Sequence, residues 1–120
     1  MKDTRIKVRF CCINVGSKNP KRLAEFYKAI GVPVYVHDQN YDGWQLGNEY
    51  EGYVCIWDEN KWGKSSAGYI TIVLRTEDLH KKYEEILENG IKIDPPHTTD
   101  WGGQELAFDD PDGNKVIMLL

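Results

Sequence analysis

The sequence predicts an α+β fold made of two β-α-β-β-β modules, with a cleft between their two sheets. Two observations carry this prediction. An apolar strand pattern, one amphipathic helix pattern and three further strand patterns occur in that order twice along the 120 residues. Each helix pattern ends at a glycine, and a polar connector over residues 59–66 separates the two copies. Because one helix covers only one face of a four-stranded sheet, the uncovered faces predict a cleft of the kind that binds small ligands.

The first module opens with an apolar stretch over residues 6–15, which predicts its first strand. Asn19 suits the helix N-cap, Pro20 suits the first helical position, and Gly31 suits the left-handed conformation that ends a helix. Apolar residues at spacings of three and four predict the buried helix face: Leu23, Phe26, Tyr27 and Ile30. Three further strands are predicted over residues 32–36, 43–46 and 52–57.

The second module repeats this order, with its first strand predicted over residues 68–75. Glu77 and Asp78 are acidic and stand where the dipole of the following helix favours negative charge. That helix is expected to end at Gly90, and its predicted apolar face holds Leu79, Tyr83, Ile86 and Leu87. Strands are predicted over residues 91–93, 105–108 and 115–120, and the Asp-Pro-Asp-Gly sequence of 110–113 has the residues of a tight hairpin turn.

Composition and charge exclude several classes of protein. A formal net charge of −4, from 15 basic and 19 acidic residues, argues against a protein that binds nucleic-acid phosphates. No run of about 18 apolar residues predicts a membrane span, and residues 1–5 lack the apolar stretch of a signal peptide. The three cysteines, with Cys11 and Cys12 adjacent, suit neither a disulfide framework nor a paired-cysteine site. We therefore expect a cytoplasmic protein that contacts neither nucleic acid nor membrane.

Four short motifs, taken in order, resemble one known superfamily. They are Phe26-Tyr27 with Gly31, the stretch from Thr76-Glu77-Asp78-Leu79 to Asn89-Gly90, Trp101-Gly102-Gly103, and Asp110-Pro111-Asp112-Gly113-Asn114. Together they resemble the vicinal oxygen chelate superfamily, which includes glyoxalase I, extradiol dioxygenases, fosfomycin-resistance enzymes and bleomycin-resistance proteins. The resemblance implies a single domain over residues 1–120, with one module at about 1–60 and the other at about 66–120. It also implies a cleft between curved mixed sheets and a homodimer.

The metal enzymes that this chain resembles hold a divalent ion from four inward strand positions, usually His, Glu or Gln, His and Glu. Carried over by spacing from the flanking motifs, three of these positions fall on Phe10, Thr71 and Ile117, and the other on Trp57 or Ile56. Such metals prefer imidazole, thiolate or carboxylate ligands, which these residues do not supply. The resemblance therefore implies a member without metal, cofactor or catalytic residues, like the bleomycin-resistance proteins.

Strand alternation predicts which side chains face the cleft, once Phe10, Thr71 and Ile117 are placed inward. Residues of opposite parity, such as Ile13, Ile72 and Leu74, are expected beneath the helices. Trp101 is followed by two glycines that allow close backbone approach, and its indole suits stacking on a planar ligand. Arg75 suits a ligand carboxylate or phosphate. The predicted ligand-binding residues are Phe10, Cys12, Asn14, Tyr53, Trp57, Thr71, Arg75, Trp101, Glu105 and Ile117.

The function favoured by these observations is metal-free binding of a small molecule, for sequestration or resistance, in an aromatic-lined cleft. The acidic balance and the aromatic residues suit an aromatic or cationic ligand. One alternative is a lyase or dioxygenase-like enzyme with relocated metal ligands at His37, His97 and Glu105. A second is a metal-free enzyme that uses Cys12, Arg75 or a tyrosine. A third is a non-catalytic module that binds a partner chain through exposed Trp62 and Tyr50.

Overall fold

Two four-stranded sheets, each covered by one long helix, make up most of the computed structural model, which describes residues 5–36, 43–48, 50–62 and 65–120. In chain order the elements are β1 (Cys12–Ser17), α1 (Pro20–Ala29), β2 (Val34–Val36), β3 (Gly43–Asn48), β4 (Gly52–Asp58), α2 (Glu59–Trp62), β5 (Thr71–Arg75), α3 (Leu79–Glu88), β6 (His97–Thr98), β7 (Gln104–Asp109) and β8 (Lys115–Leu119). The strand orders are β1-β4-β3-β2 in sheet 1 and β5-β8-β7-β6 in sheet 2. In each sheet one pair is parallel and the other two are antiparallel. The predicted α+β class and its mixed sheets are therefore confirmed.

Both long helices begin at capping residues. The sequence predicts Asn19 as the first cap, and it places Asp78, the second, where the helix dipole favours an acidic residue. The Asn19 side chain accepts a hydrogen bond from the Arg22 backbone N–H at 3.1 Å, and Pro20 follows as the first residue of α1. The Asp78 side chain accepts one from the Lys81 N–H at 3.0 Å at the start of α3. After α1 the chain turns at Gly31, whose φ of +104° favours glycine.

Apolar residues from both halves of the chain share one core. Its buried members include Val15, Leu23, Tyr27 and Ile56 from the first half and Ile86, Leu106, Val116 and Met118 from the second. The Phe26 ring of α1 meets the Phe108 ring of β7 with their centroids 6.2 Å apart. The helix-covered faces of both sheets therefore contribute to a common core. The opposite face of each sheet, here called its open face, is not covered by a helix of its own module.

The turn between β7 and β8 joins the two halves through hydrogen bonds. One Asp110 oxygen accepts bonds from the Asp112 and Asn114 backbone N–H groups at 2.9 and 3.0 Å, which closes the turn. The other accepts a bond from the Tyr27 hydroxyl of α1 at 2.6 Å. The Asn114 side chain accepts a bond from the Gly68 N–H at 2.8 Å, just before β5. This motif, which contributed to the family resemblance, thus holds the fold together.

The first strand begins later than predicted. Residues 6–15 were expected to form it, but β1 starts at Cys12, and residues 5–11 form no strand. Ile6, Val8 and Phe10 alternate with basic residues and are 94%, 94% and 104% exposed. Their alternation is that of a strand, but no strand in the described part of the chain pairs with them. We call residues 5–11 the N-terminal arm.

One further strand assignment was wrong. Residues 91–93 do not form a strand. The strand that follows α3 in the second module is instead β6, at His97–Thr98. Ile91 donates its N–H to the Ile86 carbonyl at the end of α3, and Ile91 and Ile93 pack against the core, so their apolar spacing reflects packing rather than pairing. The expected connector contains the short helix α2. None of the described helices is long and apolar enough to cross a membrane.

Candidate functional site

A cavity of about 820 Å³ lies where the two halves of the chain meet. It is lined by consecutive residues 10–13 at the start of β1 and 72–76 in and after β5, and both strands are edge strands of their sheets. The C-terminal end of α1 and the following residues 31–33 close one side. Its apolar wall includes Ile13, Val32, Val54, Ile72, Leu74 and Met118. The volume and the mainly apolar lining match those of small-molecule sites.

Polar groups of both signs reach this cavity. Arg75 and Lys82 bring positive charge, and Glu51 brings a carboxylate. The Lys82 ammonium lies 2.9 Å from the Glu85 carboxylate on the same helix, and the Arg75 guanidinium donates to the Leu120 carbonyl at 2.7 Å. Hydrogen bonds also come from the Tyr53 hydroxyl and the thiols of nearby cysteines. The cavity thus combines an apolar wall with a few convergent polar groups.

The strand register places four of the predicted residues together on the open face of sheet 1. Cys12 of β1 lies opposite Tyr53 of β4, and Asn14 lies opposite Cys55, so these side chains share one face. Trp57 follows two residues further along β4 on that same face. Cys12 and Tyr53 also line the cavity, whereas Asn14 and Trp57 lie beyond it along their strands.

Four other predicted residues share the open face of sheet 2. The pairings of β8 place Ile117 opposite Ala107 of β7, and Leu119 opposite both Glu105 of β7 and Arg75 of β5. Thr71, four residues before Arg75, lies on the same face. Arg75 reaches the cavity, while Thr71, Glu105 and Ile117 do not line it. The predicted facing of these strands is therefore observed, but it divides the residues between two open faces.

Phe10 and Trp101 do not lie on either open face. Phe10 belongs to the N-terminal arm, where its ring is at the edge of the cavity and fully exposed. Trp101 lies in the turn between β6 and β7, is 69% exposed and is absent from the cavity lining. Its ring lies against Gly103, where an added Cβ would collide with a ring carbon. The second glycine therefore accommodates the tryptophan of its own turn in this structure.

Sequence reasoning missed the residues that build the apolar wall. Ile13, Ile72 and Leu74 were expected beneath the helices, and their strand parity agrees with that facing, yet all three line the cavity. Ile13 is 63% exposed, so the start of β1 is not fully covered on that side. Lys82 was not singled out because it is one of two adjacent lysines on an amphipathic helix. Only the placement of one module beside the other brings these residues together.

Three thiols and one phenol cluster where β1 begins. The Cys11 thiol and the Tyr53 hydroxyl are 3.1 Å apart, and the pKa of Tyr53 is raised to about 12, first by this hydrogen bond and then by desolvation. Burial raises the pKa of Cys55 to about 11, with further contributions from its interactions with Cys12. These two groups are therefore neutral near pH 7.

The residues at the predicted metal positions do not suit a divalent metal. Thr71, Ile117 and Trp57 occupy open-face strand positions but offer no imidazole, thiolate or carboxylate, and Phe10 is not in a strand. The enzyme alternative places relocated metal ligands at His37, His97 and Glu105. The His97 imidazole lies 3.0 Å from the Glu105 carboxylate, and His37 lies outside the described residues. Within the described ranges, no group of three or more His, Cys, Asp or Glu residues is arranged to hold a metal ion.

The exposed aromatic residues of the partner-binding alternative are only partly described. Tyr50 is 90% exposed in the turn between β3 and β4. The side chain of Trp62 lies outside the described part of the chain.

Comparison with known proteins gives one family and many similar folds. A family model described as the Glyoxalase/Bleomycin resistance protein/Dioxygenase superfamily matches residues 13–118. The chain is similar to TnmS3, an antibiotic binding protein from Streptomyces sp. CB03234, with a TM-score of 0.74 and 20% identity, covering 96% of this chain and 97% of that one. No curated protein matches the sequence.

Two bleomycin-related structures also share the fold. A bleomycin-binding protein complexed with bleomycin has a TM-score of 0.67 and 21% identity, covering 94% of this chain and 98% of that one. A bleomycin resistance determinant encoded on the transposon Tn5 has a TM-score of 0.67 and 22% identity, covering 93% of this chain and 97% of that one. At these identities the likeness establishes the fold.

Proposed function

Because the chain belongs to the Glyoxalase/Bleomycin resistance protein/Dioxygenase superfamily, we propose that it binds a small, partly aromatic molecule without a metal and without chemical turnover. The role that we infer is sequestration or resistance. The single observation that carries this proposal is the apolar cavity between the modules, with its few polar groups. The similarity to solved structures described as antibiotic-binding and bleomycin-binding supports the same class of function.

The ligand site that we propose consists of the cavity and the open-face residues next to it. Cys12, Tyr53 and Arg75 belong to both, and Phe10 stands at the cavity edge. The remaining predicted residues extend the site along the two open faces or, for Trp101, along the β6–β7 turn: Asn14, Trp57, Thr71, Trp101, Glu105 and Ile117. Tyr53 and Trp57 supply flat faces on one strand for an aromatic group.

The charged residues at the cavity indicate which charge the polar group of the ligand carries. The net charge of −4 alone would favour a cationic ligand. Among the residues that line the cavity, Arg75 and Lys82 outnumber Glu51, while Glu85 pairs with Lys82 next to the lining. We therefore expect an aromatic ligand with a neutral or acidic group near Lys82, and a screen must include probes of both charges.

The test is a binding titration followed by tryptophan fluorescence and calorimetry, with metal-free bleomycin, cationic proflavine and anionic anilinonaphthalene sulfonate as probes. We expect saturable binding by at least one aromatic probe. Lys82→Gln should weaken an anionic probe by about three- to ten-fold, which corresponds to about 0.7–1.4 kcal/mol. Lys28→Gln, an exposed lysine of α1 outside the cavity lining, is the matched control. Equal affinities for both variants, or no binding by any probe, would contradict the proposed site.

The absence of a resident metal is tested separately. Elemental analysis of the purified chain, before and after incubation with nickel, zinc, manganese and ferrous iron, should show far less than one metal per chain. A stoichiometric divalent ion would instead favour the enzyme alternative, in which His97 and Glu105 already lie 3.0 Å apart. In that case the residues at the four family positions would not be the ligands.

We also propose that the chain, taken as one domain of two modules, works as a cytoplasmic homodimer. Its accessible surface is 8840 Å², against about 6,700 Å² expected for a monomer of 13.9 kDa. The excess exceeds the roughly 800 Å² that each partner buries in a standard interface. Ile6, Val8 and Phe10 of the N-terminal arm contribute exposed apolar surface to this excess, and a second copy would cover it. An odd number of cysteines supports a reducing compartment.

A further inference from the structure

Cys12 and Cys55 lie side by side on the open face of sheet 1. Cys12 is opposite Tyr53 in the parallel pairing of β1 and β4, and Cys55 is two residues beyond Tyr53 on the same face. The Cys12 thiol donates to the Asn14 side-chain oxygen at 3.8 Å, and Cys12 is among the neighbours that raise the pKa of Cys55. Cys55 is 7% exposed, whereas Cys12 is more accessible and lines the cavity. A buried thiol therefore shares one face of two neighbouring strands with a thiol that solutes can reach.

The position of Cys12 allows the two residues to approach further. Side chains on diagonal positions of neighbouring strands have Cβ atoms up to about 7 Å apart, whereas a disulfide needs about 4 Å. Cys12 is the first residue of β1, which is an edge strand, and the preceding residues 5–11 form no strand. A shift of Cys12 toward β4 therefore disturbs only the end of one ladder.

The third cysteine has a different partner. The Cys11 thiol is 3.1 Å from the Tyr53 hydroxyl, and Cys11 precedes β1, one residue further along the chain from the position opposite Cys55 than Cys12 is. Its sulfur therefore competes poorly for Cys55. The structure thus separates one accessible thiol, one buried thiol beside it, and one thiol engaged with a phenol.

We propose that Cys12 and Cys55 form a reversible intramolecular disulfide when a hydroperoxide reaches the open face of sheet 1. The Cys12 thiolate attacks one peroxide oxygen, the O–O bond breaks, and Cys12 becomes a sulfenic acid while the hydroperoxide leaves as an alcohol, or as water from hydrogen peroxide. The Cys55 sulfur then attacks the Cys12 sulfur. An S–S bond forms, the S–O bond breaks, and the Cys55 proton leaves with the hydroxide as water. Two thiols lose two electrons in total, and the peroxide gains them.

The disulfide changes the lining of the cavity at the start of β1. It ties the start of β1 to β4, removes the Cys12 thiol from the lining and draws Cys12 away from the cavity edge. An effect on ligand affinity rests on the proposed binding function, whereas formation of the bond does not. A thiol measurement without any ligand therefore tests the bond separately from the proposed function.

The experiment treats the reduced full chain with hydrogen peroxide, blocks the remaining thiols under denaturing conditions and measures the intact mass. The expected product has lost two of its three thiols and about 2 Da, carries a peptide that joins Cys12 to Cys55, and returns to three thiols with dithiothreitol. A monomer-sized band without reductant shows that the bond is intramolecular. Stable sulfinic acid at Cys12, or bonds only between chains, would overturn the proposal.

Three variants test the assignment. Cys11→Ser is the matched control and should still lose two thiols, whereas Cys12→Ser and Cys55→Ser should each abolish the intramolecular bond. A bond that persists in Cys12→Ser and disappears in Cys11→Ser would overturn the assignment to Cys12. Because Cys55 is buried, Cys55→Ala provides a second, apolar replacement, and circular dichroism checks that both Cys55 variants fold. The mass measurement on the unmodified chain decides the question even if they do not.

Discussion

Tyr27 links α1 to the second half of the chain through one buried hydrogen bond. Its hydroxyl donates to Asp110 at 2.6 Å, and the side chain is 1% exposed. Burial and the Asp110 carboxylate raise the pKa of Tyr27 far above its usual range, so it remains a donor at any pH that the fold survives. Replacement by Phe would keep most of the packing while removing the donor to a charged acceptor.

We expect Tyr27→Phe to lower the free energy of unfolding by about 1.5–3 kcal/mol, the usual worth of a hydrogen bond to a charged group. Urea titrations followed by circular dichroism measure this change. The same replacement at Tyr83, partly buried on α3, is the matched control and should cost less. Equal losses for the two variants would show that the Asp110 contact adds nothing beyond packing.

Cys55 should show a clear pH dependence in its reactivity. With its pKa raised to about 11 by burial, about one in a thousand of these thiols is ionised at pH 8. Iodoacetamide should therefore modify Cys55 slowly at pH 8 and faster as the pH rises toward 11, whereas exposed Cys11 serves as the internal reference. Because burial penalises the thiolate, the free energy of unfolding should fall as the pH rises from the pKa of the unfolded thiol to about 11. Rapid alkylation of Cys55 in the folded chain at pH 8 would contradict this prediction.

The two long helices carry equivalent caps at equivalent places in their modules. Asn19 accepts a bond from the N–H three residues later, and Asp78 does the same. Both helices are only ten residues long, too short to be stable alone in water, so their caps act together with the packing of their apolar faces. The two modules therefore repeat the same type of N-terminal helix cap as well as the same order of elements.

Removal of either cap should destabilise the chain by a similar amount. Asn19→Ala and Asp78→Ala are each expected to cost about 1 kcal/mol in the free energy of unfolding. Thermal and urea unfolding measure the effect, with Lys18→Ala and His80→Ala, both at exposed residues, as neighbouring controls that remove no cap. A cost confined to one helix would indicate that the other is held by packing alone.

The whole molecule is flat and exposes more surface than its mass predicts. Its principal dimensions are 46 × 44 × 22 Å, and the N-terminal arm carries apolar residues that no described strand covers. The open faces and the edges of β1 and β5 add further uncovered surface. We propose that a second copy of the chain covers part of this exposed surface.

Light scattering after size-exclusion chromatography should therefore show a dimer. The pair Ile6→Ser and Val8→Ser should weaken it by at least about ten-fold in dissociation constant, because each change removes an exposed apolar side chain from the interface. The pair Lys7→Ser and Arg9→Ser alters the basic side of the same arm and is the matched control. A monomeric wild-type chain at micromolar concentration would overturn the proposed dimer. An unchanged dimer in the first pair would remove the arm from the interface.

Local patterns in the sequence determined much of this protein. Capping residues, helical spacing and strand alternation are properties of a few neighbouring residues, so they predicted both long helices, most strands and the facing of eight proposed site residues. The pattern failed at the arm and at residues 91–93, because alternation reports which side of a strand is apolar and not whether a partner strand lies beside it. Only the tertiary structure decided that.

The tertiary structure also decided where the cavity lies. Ile13, Ile72, Leu74 and Lys82 belong to separate elements, and nothing in their local sequence indicates that they share one wall. They meet because the core and the hydrogen bonds of Tyr27, Asp110 and Asn114 set one module against the other. The side of the sheet that a side chain faces is set by strand alternation among neighbouring residues. A cavity between modules depends instead on contacts between residues that are far apart in sequence.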